Sequence, residues 1–183
     1  HETLAGRVAA AEDLLANEMF FFRILRDGVQ IRDFMLAKKD KGYAVTRQYT
    51  DDYIQIALAP LDAILKDKVC LPATPGEDSK FAPPSDNIDD AFKWIVDHVC
   101  GPNAYPGPGG SSRVLTGLTI AADTASCPTV YAITEAHKMD LYEYLQKYGP
   151  TWDVDWRVRM EPTTGIGNQM GFETFYPRRG MDK

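Results

Sequence analysis

The chain has 183 residues and a formal net charge of -6 at pH 7. Its apolar fraction of 44% and charged fraction of 25% are typical of a globular protein and argue against a disordered or fibrous chain. The acidic balance argues against non-specific nucleic-acid binding, because that binding depends on a basic surface that neutralises phosphates. No apolar stretch of the sequence is long enough to predict a membrane-spanning helix.

The first part of the chain, residues 1–71, has the pattern of a strand-rich unit. Its aromatic and β-branched runs favour strands, and Arg26-Asp27-Gly28 suits a hairpin turn because glycine accepts positive φ. Short strands joined by such turns indicate an antiparallel sheet or a small barrel. In chain order, the pattern predicts a helix over 2–17 and strands over 19–25, 29–36, 43–49 and 53–58.

A short helix and a long loop are predicted to close this first part. Pro60 suits the first turn of a helix, where its missing N–H costs nothing. Residues 72–87 are rich in proline and poor in large apolar side chains, which predicts a linker loop. The inward side of the short helix would carry Leu61, Ile64, Leu65 and Val69.

The second part, residues 88–183, is predicted to be α+β. Asn87 with Asp90 resembles a capping box at the start of a helix. Gly101-Pro102 would end that helix, with the glycine in the left-handed conformation. Apolar residues of this helix recur at i, i+4, i+7 and i+11, which predicts one buried face. Its members are Ile88, Phe92, Ile95 and Val99.

A second helix and three strands complete this part. The helix is predicted over 135–148, with Thr134 as its N-cap and Gly149-Pro150 as its end. Residues 152–160 alternate apolar and charged side chains with period two, which is typical of a sheet with one solvent-facing side. The other strands are predicted over 114–120 and 170–176.

The cysteines and the central histidine give no metal-binding pattern. Cys70, Cys100 and Cys127 are odd in number and lack CxxC spacing, so we predict buried free thiols rather than a zinc site. One disulfide with a spare thiol stays open as an alternative. His98 and Cys100 stand two residues apart on a helix, which places them on different sides and makes them a poor chelating pair.

A pair of carboxylates on the clearest strand has two interpretations. Asp153 and Asp155 would be neighbours on its polar face and could serve acid–base chemistry if one were desolvated. Arg157 and Arg159 continue the same face, which favours a solvated surface paired across strands. We therefore predict no catalytic, cofactor-binding or metal-binding residues and no enzymatic activity.

The first residue is His1 rather than Met, which predicts a processed chain or a fragment of a longer one. A mature N-terminal histidine is similar to the copper-binding residue of polysaccharide monooxygenases. There the terminal amine and the imidazole chelate copper beside a second histidine, which here would be His98 or His137. A secreted copper enzyme is therefore the alternative function.

Five segments, in order, resemble the tail hub or baseplate hub-like proteins of long-tailed phages. They are a strand-turn, a strand leading into a short helix, a Gly-ended helix, a helix-Gly-strand unit, and a strand that ends in Gly-x-Asp-basic. These segments are FFFRILRDG (20–28), YIQIALAPLDAILKDKVC (53–70), NIDDAFKWIVDHVCG (87–101), LYEYLQKYGPTWDVDWRV (141–158) and GFETFYPRRGMDK (171–183). The chain departs from the family at its start, where a helical segment replaces the expected strands.

The resemblance implies a structural role in the virion. Such proteins have β-barrel or split-barrel-like units with inserted helices, assembled in the bacterial cytoplasm as a homotrimeric ring at the tail tip. The ring joins the tail tube to the baseplate beside the distal tail and tape-measure proteins, and DNA passes through its lumen without specific binding. The acidic composition suits a lumen that repels phosphate. The loops over 72–87 and 101–112 would be inter-subunit contacts, ordered only in the assembly.

Overall fold

The computed structural model shows a mixed α+β protein, as the sequence predicts. It describes residues 21–27, 29–36, 38–39, 42–43, 45–47, 54–56, 58–72, 81, 83, 87–122, 138–160 and 169–178. The helix predicted over 2–17, most of the linker predicted over 72–87, and His1, Cys127 and His137 lie outside these ranges. The described strands form open sheets of two or three strands, and none of these sheets closes into a barrel.

The chain divides into two compact units, residues 1–61 and 62–183. Short 3₁₀ turns lie at Leu61–Leu65 and Pro108–Gly110. The strands are β1 (Phe21–Arg26), β2 (Val29–Leu36), β3 (Lys38–Lys39), β4 (Gly42–Tyr43), β5 (Val45–Arg47), β6 (Ile54–Ile56), β7 (Leu58–Pro60), β8 (Leu118–Ile120), β9 (Asp155–Met160) and β10 (Met170–Phe175), and the helices are α1 (Ile88–Cys100) and α2 (Leu141–Thr151).

The first unit contains an antiparallel sheet of order β1-β2-β7. The predicted hairpin is confirmed: Asp27 turns the chain between β1 and β2 with a φ of 52°. Across the hairpin, the Arg23 guanidinium lies 2.9 Å from the Asp33 carboxylate, which is almost fully buried. Pro60 does not open a helix, since it ends β7 opposite Phe34, and the 3₁₀ turn begins one residue later. A proline is tolerated there because β7 is an edge strand.

The second unit contains a mixed sheet of order β8-β10-β9. β9 and β10 pair antiparallel, with Val158 opposite Phe172, whereas β8 runs parallel to β10. The period-two prediction for β9 is confirmed, because Val154, Trp156 and Val158 are buried while the residues between them are partly exposed. One face of this sheet therefore belongs to the core.

Helix α1 packs on this sheet, and α2 packs on α1 and β9. The predicted apolar face of α1 is confirmed, since all four of its members are fully buried. Aromatic rings connect the layers: Phe92 of α1 meets Tyr144 of α2 at 6.2 Å, and Trp156 stacks on Phe172 at 6.1 Å. These side chains form the core of the second unit.

Gly101 ends α1 for a different reason from the one predicted. Its φ is -81°, so it does not use the left-handed conformation. A Cβ at this position would lie 2.6 Å from Asp97 Cα. Glycine is needed because the chain passes close to the last turn of the helix.

Both ends of α2 differ from the prediction. The helix begins at Leu141, and its N-cap is Asp140, whose Oδ1 accepts a hydrogen bond from the Glu143 N–H at 3.0 Å. Gly149-Pro150 does not stop it, because the helix continues to Thr151. The chain leaves the helical conformation at Asp153, which has a φ of 56°.

Residues 66–70, which follow the 3₁₀ turn at Leu61–Leu65, are bonded to residue 140 of the same unit. Asp140 Oδ2 accepts a hydrogen bond from the Asp67 N–H at 2.8 Å, and Val69 forms an isolated bridge with Asp140. The prediction that Val69 points inward is wrong, since 40% of it is exposed, whereas Leu61 and Leu65 are fully buried as predicted. The reason is that the chain has left the helix and runs extended beside residue 140.

We expect Asp140→Ala to lower the free energy of unfolding of the second unit by about 2–3 kcal/mol, because it removes a helix cap and a second bond to a backbone N–H. Asp140→Asn should lose about half as much, since its amide oxygen still caps the helix. Urea unfolding followed by tryptophan fluorescence measures this, because Trp94, Trp152 and Trp156 all lie in the second unit. Equal stability of the wild type and Asp140→Ala would show that the cap contributes nothing.

Candidate functional site

The loop over 101–112 folds back on the end of α1. The Asp97 carboxylate holds its start, because Oδ1 accepts from the Asn103 N–H at 3.1 Å and Oδ2 from the Asn103 amide at 2.8 Å. The Tyr105 N–H donates to the His98 carbonyl at 2.9 Å. The prediction of an irregular, glycine-rich segment is confirmed, but the loop has a defined conformation within the single chain.

Four aromatic side chains form a cluster at the base of this loop. Trp94 and His98 stack at 4.1 Å, and His98 meets the Tyr105 ring edge-on at 4.9 Å. The Phe81 ring centroid lies 5.3 Å from that of Trp94, and Phe81 is almost fully buried. The His98 Nδ1 lies 2.9 Å from the Trp94 carbonyl oxygen, so an N–H at Nδ1 donates to the preceding helical turn. This aromatic cluster (Phe81, Trp94, His98 and Tyr105) fixes where the loop leaves the helix.

The tip of the loop is a tight, exposed turn. The Gly107 N–H donates to the Ser111 carbonyl at 2.8 Å, and Gly110 donates to Gly107 at 3.0 Å. Gly109 and Gly110 have φ values of 72° and 78°, which side chains rarely adopt. The loop therefore presents a small, preformed tip to solvent.

We expect Tyr105→Ala to loosen this loop, because it removes a ring that packs on both His98 and Trp94. Hydrogen exchange at the Tyr105 and Asn103 amides should rise about tenfold or more, which corresponds to about 1.4 kcal/mol of local opening free energy. Tyr176→Ala is the control, since Tyr176 is an exposed aromatic residue outside the loop. Unchanged exchange in Tyr105→Ala would mean that the Asp97 bonds alone hold the loop.

Two thiols and one guanidinium come together behind the loop. Cys70 and Cys100 are free and fully buried, as predicted. The Leu115 N–H donates to the Cys100 carbonyl at 2.7 Å, and Arg113 Nη2 donates to the Val69 carbonyl. Burial raises the pKa of Cys70 to about 12 and that of Cys100 to about 11, although the Arg113 charge acts in the opposite direction on both. Both thiols are therefore protonated at neutral pH and are poor nucleophiles.

These buried thiols make the second unit sensitive to alkali. Above the ordinary thiol pKa of 9.0, the unfolded chain loses protons that the folded chain keeps, so stability falls as pH rises. Each thiol should contribute a slope of about 1 kcal/mol per pH unit between pH 9 and 10, where the unfolded thiol is partly ionised. Cys70→Ala and Cys100→Ala should each remove one thiol's contribution to the pH dependence of the free energy of unfolding. Urea unfolding at several pH values measures this dependence. A slope that neither substitution changes would show that the thiols titrate equally in both states.

The two carboxylates singled out in the sequence, Asp153 and Asp155, have different local environments. Asp153 precedes the strand in the left-handed conformation, and Asp155 Oδ1 accepts from the Trp156 N–H at 3.0 Å. The Arg157 guanidinium lies 2.9 Å from the Glu173 carboxylate on β10, and Arg159 pairs with the same carboxylate. The predicted cross-strand pairing is confirmed, although the acidic partner is Glu173 rather than the two aspartates.

His98 and Cys100, the two potential metal ligands at the end of α1, have separate surroundings. His98 packs in the aromatic cluster, while Cys100 faces the core. No group of three or more His, Cys, Asp or Glu side chains in this part of the chain could hold a metal ion. Among the same residues, no helix is long and apolar enough to cross a membrane.

Sequence reasoning did not identify the aromatic cluster or the position of Arg113. Trp94 and His98 stand at i and i+4 on a helix, a spacing that puts two rings on one face. Phe81 and Tyr105 come from separate loops, and no local pattern connects them to this face. Arg113 reaches Val69 across 44 residues of sequence, which only the tertiary fold reveals.

No family model, curated protein or solved structure matches this chain. The resemblance to tail hub proteins therefore stays a prediction from its own sequence segments.

Proposed function

We propose that this chain is a structural subunit of a phage tail tip, of the baseplate hub-like kind. In this proposal copies of the chain form a homotrimeric ring, with barrel-like or split-barrel-like units, that joins the tail tube to the baseplate. DNA passes through the ring without specific binding. The protein belongs to the virion, is assembled in the bacterial cytoplasm and performs no chemistry.

The observation that carries the proposal is how the five resembling segments divide the fold. Each segment contains complete or nearly complete structural units rather than arbitrary stretches: residues 20–28 contain β1, 53–70 contain β6, β7 and the 3₁₀ turn, and 87–101 run from the N-cap to the C-cap of α1. Residues 141–158 contain α2 and most of β9, and 171–183 contain most of β10. Segments that correspond to elements are what inheritance of a common fold would leave in a diverged sequence.

The loop over 101–112 also supports an assembly role. Its exposed tip is preformed, so docking a neighbour on it costs little conformational entropy. Asp97, His98 and Tyr105 fix the loop at its base and leave Pro108, Gly109 and Gly110 exposed. A protein that functions through fixed contacts with neighbours needs surfaces of this kind.

Light scattering after gel filtration and electron microscopy of the purified protein test the proposal. We expect a trimer, seen as a ring with a central channel, and co-purification with a tail-tube protein when the two are co-expressed. The channel should be lined mainly by Asp and Glu, because an acidic lumen does not retain phosphate. A strict monomer with no tail partner would contradict the proposal, and a lumen lined by Lys and Arg would contradict its electrostatic part.

Copper titration separates this proposal from the alternative of a secreted copper enzyme. His1 lies outside the described residues, so the structure does not bear on that alternative. The structural proposal predicts no stoichiometric copper binding at neutral pH by calorimetry. One tightly bound copper ion that is lost in His1→Ala would overturn it in favour of the enzyme.

A further inference from the structure

One side of the sheet of order β1-β2-β7 is apolar but not buried. The strand register places five apolar residues on this side, because residues directly opposite each other in a sheet share a face. Ile24 and Leu58 are 42% and 36% exposed, and the other three are half-buried. By register, Arg32 and Leu36 share the same side. The apolar face, as we call this set, consists of Phe22, Ile24, Phe34, Leu58 and Pro60.

The opposite side of the same sheet is the polar one. It carries the ion pair of Arg23 and Asp33, and the Asp33 carboxylate is almost fully buried. Ahead of Leu61, none of the apolar side chains that the structure describes is buried. A sheet of two or three strands becomes stable when an apolar face packs against another layer. The described residues therefore leave the apolar face without a layer that buries it.

The segment that leads into β1 has the sequence pattern of such a layer. Residues 1–20 lie outside the described ranges, and a helix is predicted over 2–17. Four apolar residues of this segment recur at i, i+4, i+7 and i+11, which places them in one stripe of the predicted helix. In a helical projection, Glu2 and Asp13 lie opposite the stripe. The apolar stripe consists of Leu4, Val8, Ala11 and Leu15.

Length and connection favour the apolar face as the partner of this stripe. A helix over 2–17 would be about 24 Å long, and the eight residues of β2 span about 26 Å. Only residues 18–20 separate this helix from β1, so it must lie close to the sheet. On the polar side, the stripe would face the charges of Arg23 and Asp33, which apolar side chains cannot satisfy.

We propose that residues 2–17 form an amphipathic helix that docks on the apolar face of the same chain. The contact removes Ile24 and Leu58 from water and supplies the second layer of the first unit. It also explains why a sheet can leave its apolar side open among the described residues. The inference does not depend on a role in a phage tail, so either proposal can fail without the other.

Maleimide labelling of the full chain tests this contact. Ile24→Cys and Leu58→Cys place thiols on the apolar face, and peptide mass spectrometry distinguishes them from the native cysteines. Both should label about tenfold or more slowly than Arg26→Cys, at an exposed residue of β1. Val8→Ser in the same chain should remove most of this protection, because it takes apolar area out of the stripe. Asp13→Ser is the matched control on the opposite side of the helix and should leave the labelling rates unchanged.

The outcomes identify what covers the apolar face. Labelling of Ile24→Cys as fast as that of Arg26→Cys, or protection that Val8→Ser does not reduce, would overturn the docking of residues 2–17. Protection that appears only as the protein concentration rises would assign the face to another copy of the chain and would also overturn it. Ala59→Cys lies on the polar side of β7, opposite Met35. An equal acceleration there in Val8→Ser would show that the whole sheet opens and would overturn the assignment to one face.

Discussion

The second unit depends on the burial of one face of α1 against the mixed sheet. Ile88, Phe92, Ile95 and Val99 are fully buried, and the helix packs on β8 and β10. Burying such side chains stabilises the unit by about 1.5–3 kcal/mol each. This contact sets the direction of α1, and the end of α1 determines where the following loop begins. The aromatic cluster and the buried Cys100 both lie at that end.

Rigidity at the end of α1 has a simple physical origin. Asp97 and His98 face the loop from the last turn of the helix, where carbonyl groups lack helical partners. The Tyr105 N–H donates to the His98 carbonyl. The Asp97 carboxylate accepts from the backbone N–H and from the side-chain amide of Asn103. The bond from Tyr105 satisfies a backbone carbonyl that a free helix end would leave to water, and the bonds to Asp97 tie Asn103 of the loop to the helix. The loop is therefore part of the folded unit rather than an addition to it.

The carboxylates of the second unit have two kinds of partner. On the sheet, the Glu173 carboxylate pairs with both Arg157 and Arg159. Near Val69, the Asp140 carboxylate accepts hydrogen bonds from the backbone N–H groups of Asp67 and Glu143 and keeps its negative charge.

Local patterns in the sequence determined the elements of this protein, and long-range contacts decided how those elements were used. The face of α1 and the alternation of β9 follow from periods of a few residues, so both could be predicted. The parallel pairing of β8 with β10 and the exposure of Val69 could not. Each depends on a partner far along the chain, as when Val69 meets Asp140. The aromatic cluster combines separate segments for the same reason, so only the tertiary structure assembles it.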